Sequence, residues 1–150
     1  EMRDFETIAS ALTIAETGHV VFATLHTNSA AQTVDRIVDV FPENQQPQVR
    51  LQLASSLEAV LSQRLIPKVG GGRVLAYEIM LGTTAVKTAI REGRTHMIDN
   101  IILTSGEYGM VSLDSHLDSL IKAGVVTEDV AAAYSMQTGD AARMAREEGV

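Results

Sequence analysis

The sequence lacks cysteine and tryptophan, and only 4% of its 150 residues are aromatic. The absence of cysteine excludes disulfide bonds, a thiolate nucleophile and a cysteine-ligated zinc site. Because 45% of the residues are apolar, a sizeable core is expected, and it has to be aliphatic. No apolar run approaches the ~20 residues needed to cross a bilayer, and the opening residues do not resemble a secretory leader. The composition predicts one soluble globular domain in a reducing, cytoplasmic compartment.

Positive charge is also scarce. The chain carries 12 Lys and Arg residues against 19 Asp and Glu residues, which gives a net charge of −7 with histidine neutral. Surfaces that bind nucleic acid usually carry clustered Lys and Arg to neutralise the phosphate backbone. The acidic balance therefore predicts docking on other proteins and no nucleic-acid partner.

The first part of the chain combines helix and strand patterns. Apolar residues at three- and four-residue spacing predict a helix between Asp4 and Gly18. The nearly continuous apolar run 19–26 is typical of a strand covered on both faces, as in the parallel sheets of α/β proteins. Ser29 and Gln32 form a capping-box pattern that predicts the start of a second helix. Because the chain opens directly on a helix, we expect it to be part of a longer protein.

The remaining patterns predict a third helix, a hairpin and then helices only. The third helix is predicted over residues 48–61, and two strands over 64–69 and 73–81 flank a glycine turn. The later helices, which are separated by glycines, are predicted over residues 84–92, 95–104, 112–123, 127–134 and 140–147. We therefore interpret residues 1–81 as part of an α/β core and residues 82–150 as an appended helical region.

Charged residues at the start of the chain allow two interpretations. Glu1 and Asp4 lie where acidic side chains complement the dipole of the first helix, and this is the simpler interpretation. Alternatively, a carboxylate next to a buried strand holds a water or Mg²⁺ against the γ-phosphate in an ATPase. The pattern alone leaves both interpretations open.

Two histidines flank the predicted strand 19–26. They are seven positions apart, so His19 and His26 would face opposite sides and lie roughly 20 Å apart at ~3.3 Å per residue, which argues against a shared metal. His26 is at the carboxyl end of the strand, where ligands of open α/β sheets bind. Beside the hydroxyls of Thr24 and Thr27, its imidazole is either a phosphate sensor or a polar cap on the strand.

Three other features are interpreted as structural. The glycine run 70–72 before Arg73 is predicted to be a hairpin turn, because it lacks the Lys-Ser/Thr and the following helix of a phosphate-binding P-loop. No GxxxxGK[ST] sequence occurs in the chain. Tyr77 and Glu78 are predicted to face solvent, and no role is assigned to His96 or His116.

Two blocks near the start resemble a known superfamily. Residues 1–7, EMRDFET, resemble the end of the Walker B segment of secretion-type ATPases, and residues 17–30 resemble their His box. Further along, DRIVDVFP at 35–42 and GRVLAYEIM at 72–80 are similar to stretches of the ATPases that retract type IV pili in twitching motility. Residues 85–92 keep half of the AIRNLIRE motif of that family, namely Ala85, Ile90, Arg91 and Glu92.

The resemblance implies a fold and a set of partners. It implies that residues 1–81 are the C-terminal part of a RecA-like ATPase core and that a small all-helical region follows. Members of the family are hexameric rings that use ATP and Mg²⁺ on the cytoplasmic face of the inner membrane. They act on the membrane platform protein of the pilus, and through it indirectly on pilin. The protein is therefore expected to be cytoplasmic and peripheral at the inner membrane.

The resemblance also implies roles for individual residues. Glu1 would be the Walker B carboxylate near Mg-ATP, with no metal bound directly by this chain, and His26 would approach the γ-phosphate. The residues expected to support the nucleotide pocket are Arg3, Asp4, His19, Thr24 and Thr27. The residues expected to transmit the nucleotide state to the helical region or to a neighbouring subunit are Ala85, Ile90, Arg91 and Glu92.

The departures from the family pattern define the alternatives. The P-loop is not in this sequence, so the 150-residue chain alone is expected to lack ATPase activity. Pilus-extension and type II secretion ATPases share the Walker B and His blocks but usually carry a four-cysteine zinc insertion in this region. The absence of cysteine and the AIRNLIRE-like stretch favour retraction over those functions. A non-catalytic helical interaction module is the remaining alternative.

Overall fold

The structure is a computed structural model and describes residues 1–136. The helices of this part of the chain are α1 (Phe5–Glu16), α2 (Ala30–Asp39), α3 (Gln46–Ser56), α4 (Thr84–Arg91), α5 (Ile98–Thr104), α6 (Leu113–Lys122) and α7 (Glu128–Tyr134). Two strands, β1 (Ala59–Pro67) and β2 (Arg73–Leu81), lie between α3 and α4. The helices predicted after residue 83 are confirmed within a few residues, apart from 140–147, which lies outside the described residues. A 3₁₀ turn, Thr95–Met97, leads into α5.

Side-chain caps fix where the first two helices begin. The Asp4 carboxylate accepts hydrogen bonds from the backbone N–H of Thr7 at 2.9 Å and from its hydroxyl at 2.7 Å. The Ser29 hydroxyl accepts from the backbone N–H of Gln32 at 3.2 Å, and the Gln32 side chain accepts from the N–H of Asn28. These bonds satisfy N–H groups that have no partner inside the helix. Both predicted helix starts are thus confirmed.

The segment 19–26 is extended but forms no strand, so this prediction is wrong for the described residues. A strand needs a neighbouring ladder, and β1 and β2 form the one sheet among residues 1–136. Among the described residues, the segment makes a single backbone hydrogen bond to another part of the chain, from Met2 N to Thr24 O at 3.0 Å. Val20 and Phe22 are 83% and 96% exposed. The apolar residues of the predicted strand are therefore present, but no other described element packs over these two side chains.

The hairpin is confirmed, although its first strand begins earlier than predicted. β1 and β2 are antiparallel, and the register runs from Ala59 opposite Leu81 to Pro67 opposite Arg73. The turn depends on glycines 70–72, whose φ angles of 82°, 97° and 78° are unfavourable for residues with a Cβ. The predicted third helix extended to Leu61, but α3 ends at Ser56. Pairing of the following residues with β2 overrides their helical spacing.

Two aliphatic cores hold the described residues together. The larger core is formed by α1 to α5 with Met80 of β2. The smaller core joins the hairpin, through Ile66 and Ala76, to α6 and α7. Both cores contain residues from before and after position 81. The division of the chain into an α/β core, residues 1–81, and a helical region, residues 82–150, stays a prediction. No helix among residues 1–136 is long and apolar enough to span a bilayer.

Candidate functional site

Glu1 and His26 converge on one point. Oε1 of Glu1 lies 2.8 Å from Nε2 of His26 and accepts a hydrogen bond from Nε of Arg3 at 2.5 Å. The backbone bond from Met2 N to Thr24 O places the opening residues beside the extended segment, which brings the carboxylate to the imidazole. Because an ionised carboxylate only accepts hydrogen bonds, the proton in the contact with His26 is on Nε2.

The two donors keep the Glu1 carboxylate charged. The hydrogen bond from His26 is the main cause that lowers the pKa of Glu1 below its usual 4.5, and the bond from Arg3 adds to it. Hydrogen bonds to the charged form of an acid stabilise that form. The carboxylate is therefore ionised at neutral pH and available as an acceptor for a water or a proton.

A pocket of about 230 Å³ lies beside this pair and is lined by two arginines, a histidine and two apolar side chains. Its lining residues are Met2, Arg3, Leu25, His26 and Arg36. Arginine and histidine side chains are suited to bind an anion such as a phosphate group. Arg36 was missed in the sequence, where it is one polar residue among several on α2. The tertiary structure places Arg36 beside Met2 and Arg3 at the pocket.

The other residues expected to support the pocket have different surroundings. Asp4 caps α1, and the pKa of its carboxyl is lowered by the backbone N–H and then the hydroxyl of Thr7. Thr27 shares a 2.6 Å hydroxyl bond with Thr33 of α2, which fixes the turn after His26. Nδ1 of His19 lies 2.9 Å from the Thr17 hydroxyl at the other end of the extended segment.

Thr24 contributes its backbone oxygen to the contact with Met2, and its side chain is exposed. Thus the structure brings Glu1, Arg3 and His26 together and places Thr24 and Thr27 next to them. His19 makes its described contact elsewhere. The supporting roles of these residues stay predictions.

The residues of the AIRNLIRE-like stretch lie on α4 and just after it. Ile90 is fully buried in the larger core, whereas Arg91 is exposed. Glu92 forms an ion pair with Arg94, with 3.2 Å between Oε2 and Nη1. Ala85 and Glu92 line an open, mainly apolar groove of about 460 Å³ between α4 and the residues leading into α5. This groove is separate from the pocket at His26.

Glu78 is not solvent-facing, and the sequence-based prediction is wrong on this point. The side chain is 5% exposed, and its Oε1 accepts a 2.8 Å hydrogen bond from the backbone N–H of Ala30 at the start of α2. Burial is the main cause that raises the pKa of Glu78 above 4.5. The prediction is based on the polar character of the side chain, whereas residues 76, 78 and 80 of β2 point inward together.

The donor set is suited to a phosphate group more than to a bare metal ion. Among residues 1–136 there is no group of three or more His, Asp or Glu side chains placed to hold a metal. At the pocket one carboxylate faces two arginines and a histidine, which matches an anion with an associated water. Glu1, Arg3, His26 and Arg36 are therefore the residues that could contact the phosphate end of a nucleotide.

Comparison with known proteins defines the class. The family model described as Type II/IV secretion system protein matches residues 1–122, so the chain belongs to this family. The predicted fold class, the C-terminal part of a RecA-like ATPase core followed by a helical region, is confirmed by this match and by the structural likeness below. The resemblance stated from the sequence motifs is confirmed as well.

Individual relatives are named for pilus retraction and twitching motility. The chain is 53% identical over 129 residues to the type IV pilus retraction ATPase PilT of Pseudomonas aeruginosa, covering 86% of this chain and 38% of that protein. It is 48% identical over 132 residues to a twitching motility protein of Neisseria gonorrhoeae, covering 87% of this chain and 35% of that protein.

A solved structure agrees with these relatives. The crystal structure of the pilus retraction motor PilT with bound ADP is similar at a TM-score of 0.82 and 46% identity, covering 91% of this chain and 38% of that one. The chain thus spans little more than a third of the length of the relatives it matches.

Proposed function

We propose that this chain is the C-terminal portion of a hexameric, ATP-hydrolysing motor that retracts type IV pili. The observation that carries the proposal is the contact between Glu1 Oε1 and His26 Nε2 at the edge of a cationic pocket. Relatives named as retraction ATPases, one of them with bound ADP, support it. The lack of cysteine favours retraction over extension or secretion, in line with the sequence argument.

Within this proposal each side chain has a definite task. ATP and Mg²⁺, when bound, supply the phosphoanhydride and neutralise its charge. The ionised Glu1 accepts a hydrogen bond from the attacking water and orients it. His26 and Arg3 hold the carboxylate in place, and the remaining guanidinium N–H groups of Arg3, with those of Arg36, present donors towards the negative charge that develops on the phosphate.

The further parts of the proposal concern the whole protein. Its partners are five further copies in a homo-hexamer, the pilus platform protein at the inner membrane and, indirectly, pilin. It acts in the cytoplasm, peripheral to the inner membrane. Arg91 and Glu92, at the exposed end of α4, transmit the nucleotide state to the helical region or a neighbouring subunit and do not touch the reacting atoms.

The test is the ATPase rate of the intact protein, including its P-loop half, with Glu1→Gln or His26→Ala. We expect either substitution to lower kcat by about 10²-fold, the usual contribution of a positioned acid or base. Folding should be unaffected, because both side chains are on the surface. Wild-type turnover in both variants would contradict the proposed roles.

Matched controls separate the site from general effects of charge. Glu6→Gln removes a carboxylate from the first turn of α1, and His96→Ala removes an exposed imidazole before α5. Both should hydrolyse ATP at the wild-type rate. The unaltered 150-residue chain serves as the blank, since it contains no P-loop sequence and is expected not to hydrolyse ATP.

A further inference from the structure

Two side chains of opposite charge lie on one face of the hairpin. Arg64 of β1 is opposite Ala76 of β2, and Glu78 is two residues further along β2. Alternate residues of a strand share a face, so Arg64 and Glu78 are diagonal neighbours on it. Among the described residues they form no direct ion pair, and their hydrogen bonds go to main-chain groups and to one methionine sulfur.

Both side chains hold the turn that follows His26. Nη2 of Arg64 donates to the backbone oxygen of Asn28 at 3.0 Å, and Oε1 of Glu78 accepts from the backbone N–H of Ala30 at 2.8 Å. These two main-chain groups lie on either side of Ser29, the buried N-cap of α2. A donor and an acceptor from the hairpin therefore fix the turn only two residues after His26.

Arg64 also reaches the end of α7. Its Nη1 donates to the backbone oxygen of Tyr134, the last residue of α7, at 2.8 Å, and Nη2 lies 3.2 Å from Sδ of Met136. Helix α6 packs on the same hairpin, because Leu113 and Leu117 share the smaller core with Ala76 of β2. Arg64 thus joins the His26 turn to α7, and Glu78 joins the turn to a hairpin on which α6 packs.

This arrangement is more specific than hairpin stabilisation requires. A buried carboxylate is costly unless its oxygens accept hydrogen bonds, and here the first N–H group of α2 supplies one. An apolar side chain at position 78 could not accept this bond from the N-terminus of α2. The planar, forked guanidinium of Arg64 likewise reaches carbonyl groups on two separate segments at once.

We propose that Arg64 and Glu78 are positioning residues that hold the Asn28–Ala30 turn, and with it His26, in a fixed relation to helices α6 and α7. Movement of those helices would then reach the imidazole through two side chains of the hairpin. The effect on catalysis rests on the function proposed above, whereas the positioning of His26 beside Glu1 does not.

The first experiment measures the positioning in the 150-residue chain. NMR measures how far the chemical shifts of the His26 ring nitrogens change when Glu1→Gln is introduced. This change is measured in the otherwise wild-type chain and in chains that also carry Glu78→Gln or Arg64→Met. The glutamine of Glu78→Gln has one neutral acceptor oxygen in place of two carboxylate oxygens, so the hydrogen bond from the Ala30 N–H is weakened. We expect the shift caused by Glu1→Gln to become smaller by about twofold or more, as for coupled sites.

Controls and a second variant keep this test decisive. Arg73→Met alters an exposed arginine of the same hairpin and should leave the shift unchanged. Arg64→Lys keeps the charge but reaches one carbonyl at a time, and should recover part of the shift lost in Arg64→Met. An unchanged shift in folded Arg64→Met or Glu78→Gln would overturn the proposal. Should Glu78→Gln not fold, the comparison of Arg64→Met with Arg73→Met decides it.

The second experiment measures kcat and KM for ATP in the intact protein. Misplacing His26 should lower kcat of Arg64→Met by about 10-fold while KM stays within about twofold, because small misplacements act on the chemical step. A change in KM alone, or a wild-type kcat, would overturn the proposal that Arg64 affects catalysis through His26. If the intact wild-type protein hydrolyses no ATP, the proposed function fails, and the NMR result still decides the positioning.

Discussion

One carboxylate oxygen of Glu1 is the meeting point of the two most informative motifs in the sequence. The imidazole of His26 and the guanidinium of Arg3 both reach it, although His26 is 25 residues away along the chain. The contact also has an electrostatic consequence, since both donors favour the ionised acid. The contact therefore predicts how the pKa of a single group responds to substitution.

His26→Ala should raise the pKa of Glu1 towards its ordinary value of 4.5, because the main cause of the lowered pKa is removed. Titration of the side-chain carboxyl carbon of Glu1 by NMR measures this. The stabilisation that ionised Glu1 contributes is complete above 4.5 and is lost as the pH falls through the lowered pKa, so the variant should lose this part of its acid sensitivity. His19→Ala, which removes a ring bonded to Thr17, should leave the titration of Glu1 unchanged.

A pKa of Glu1 that stays equally low in His26→Ala would contradict the geometry. It would mean that Arg3 alone accounts for the effect and that the imidazole does not contact the carboxylate in solution.

The residues of the site differ in how far the sequence predicts them. Glu1 and His26 are predictable because each belongs to a local motif, and the family resemblance implies that both approach the same nucleotide. Arg36 and Glu78 are not predictable in this way. Arg36 reaches the pocket through the packing of α2, and Glu78 is buried because a helix N-terminus supplies its hydrogen bond. Such contacts depend on tertiary structure and have no short-range signal.

At the scale of elements, local chemistry predicts helix starts and turns better than strands. The caps at Asp4 and Ser29 and the glycine turn at 70–72 are confirmed, since each depends on neighbours within four residues. The segment 19–26 has the composition of a strand but lacks a ladder among the described residues. The end of α3 is misjudged because pairing with β2 competes with helix spacing in residues 57–61.

The junction after β2 gives a prediction about stability. A Cβ on Gly82 would overlap the backbone oxygen of Leu57, while a Cβ on Gly106 would have no neighbour within 4 Å. Because overpacking against a rigid group costs about 1–3 kcal/mol, Gly82→Ala should lower the free energy of unfolding by about 2 kcal/mol or more. Gly106→Ala should change it by less than about 0.5 kcal/mol, as for open surface positions.

Urea unfolding of the two variants measures this difference, with the slope against urea concentration unchanged. Equal stability of Gly82→Ala and Gly106→Ala would show that the α3–β1 connection does not approach the end of β2 as closely as described.

At the scale of the whole molecule, the hairpin is the structural link between the parts. The larger core is formed by the five helices α1 to α5, and the smaller core is formed by the hairpin with α6 and α7. The hairpin contributes residues to both cores. The site at Glu1 and His26 is on the surface of the larger core, and the exposed Val20 and Phe22 lie close by in sequence. The proposed catalysis requires the pocket at His26 to act together with a P-loop, which this sequence does not contain.

The central claim is that Glu1 and His26 act as one unit on bound ATP. The most direct test is a double-mutant cycle on kcat in the intact protein, with Glu1→Gln, His26→Ala and both together. Residues that act as a unit show strongly non-additive losses. We predict that kcat of the double variant is within about threefold of kcat of the slower single variant. Losses that multiply, so that each substitution has its full effect in the presence of the other, would contradict it.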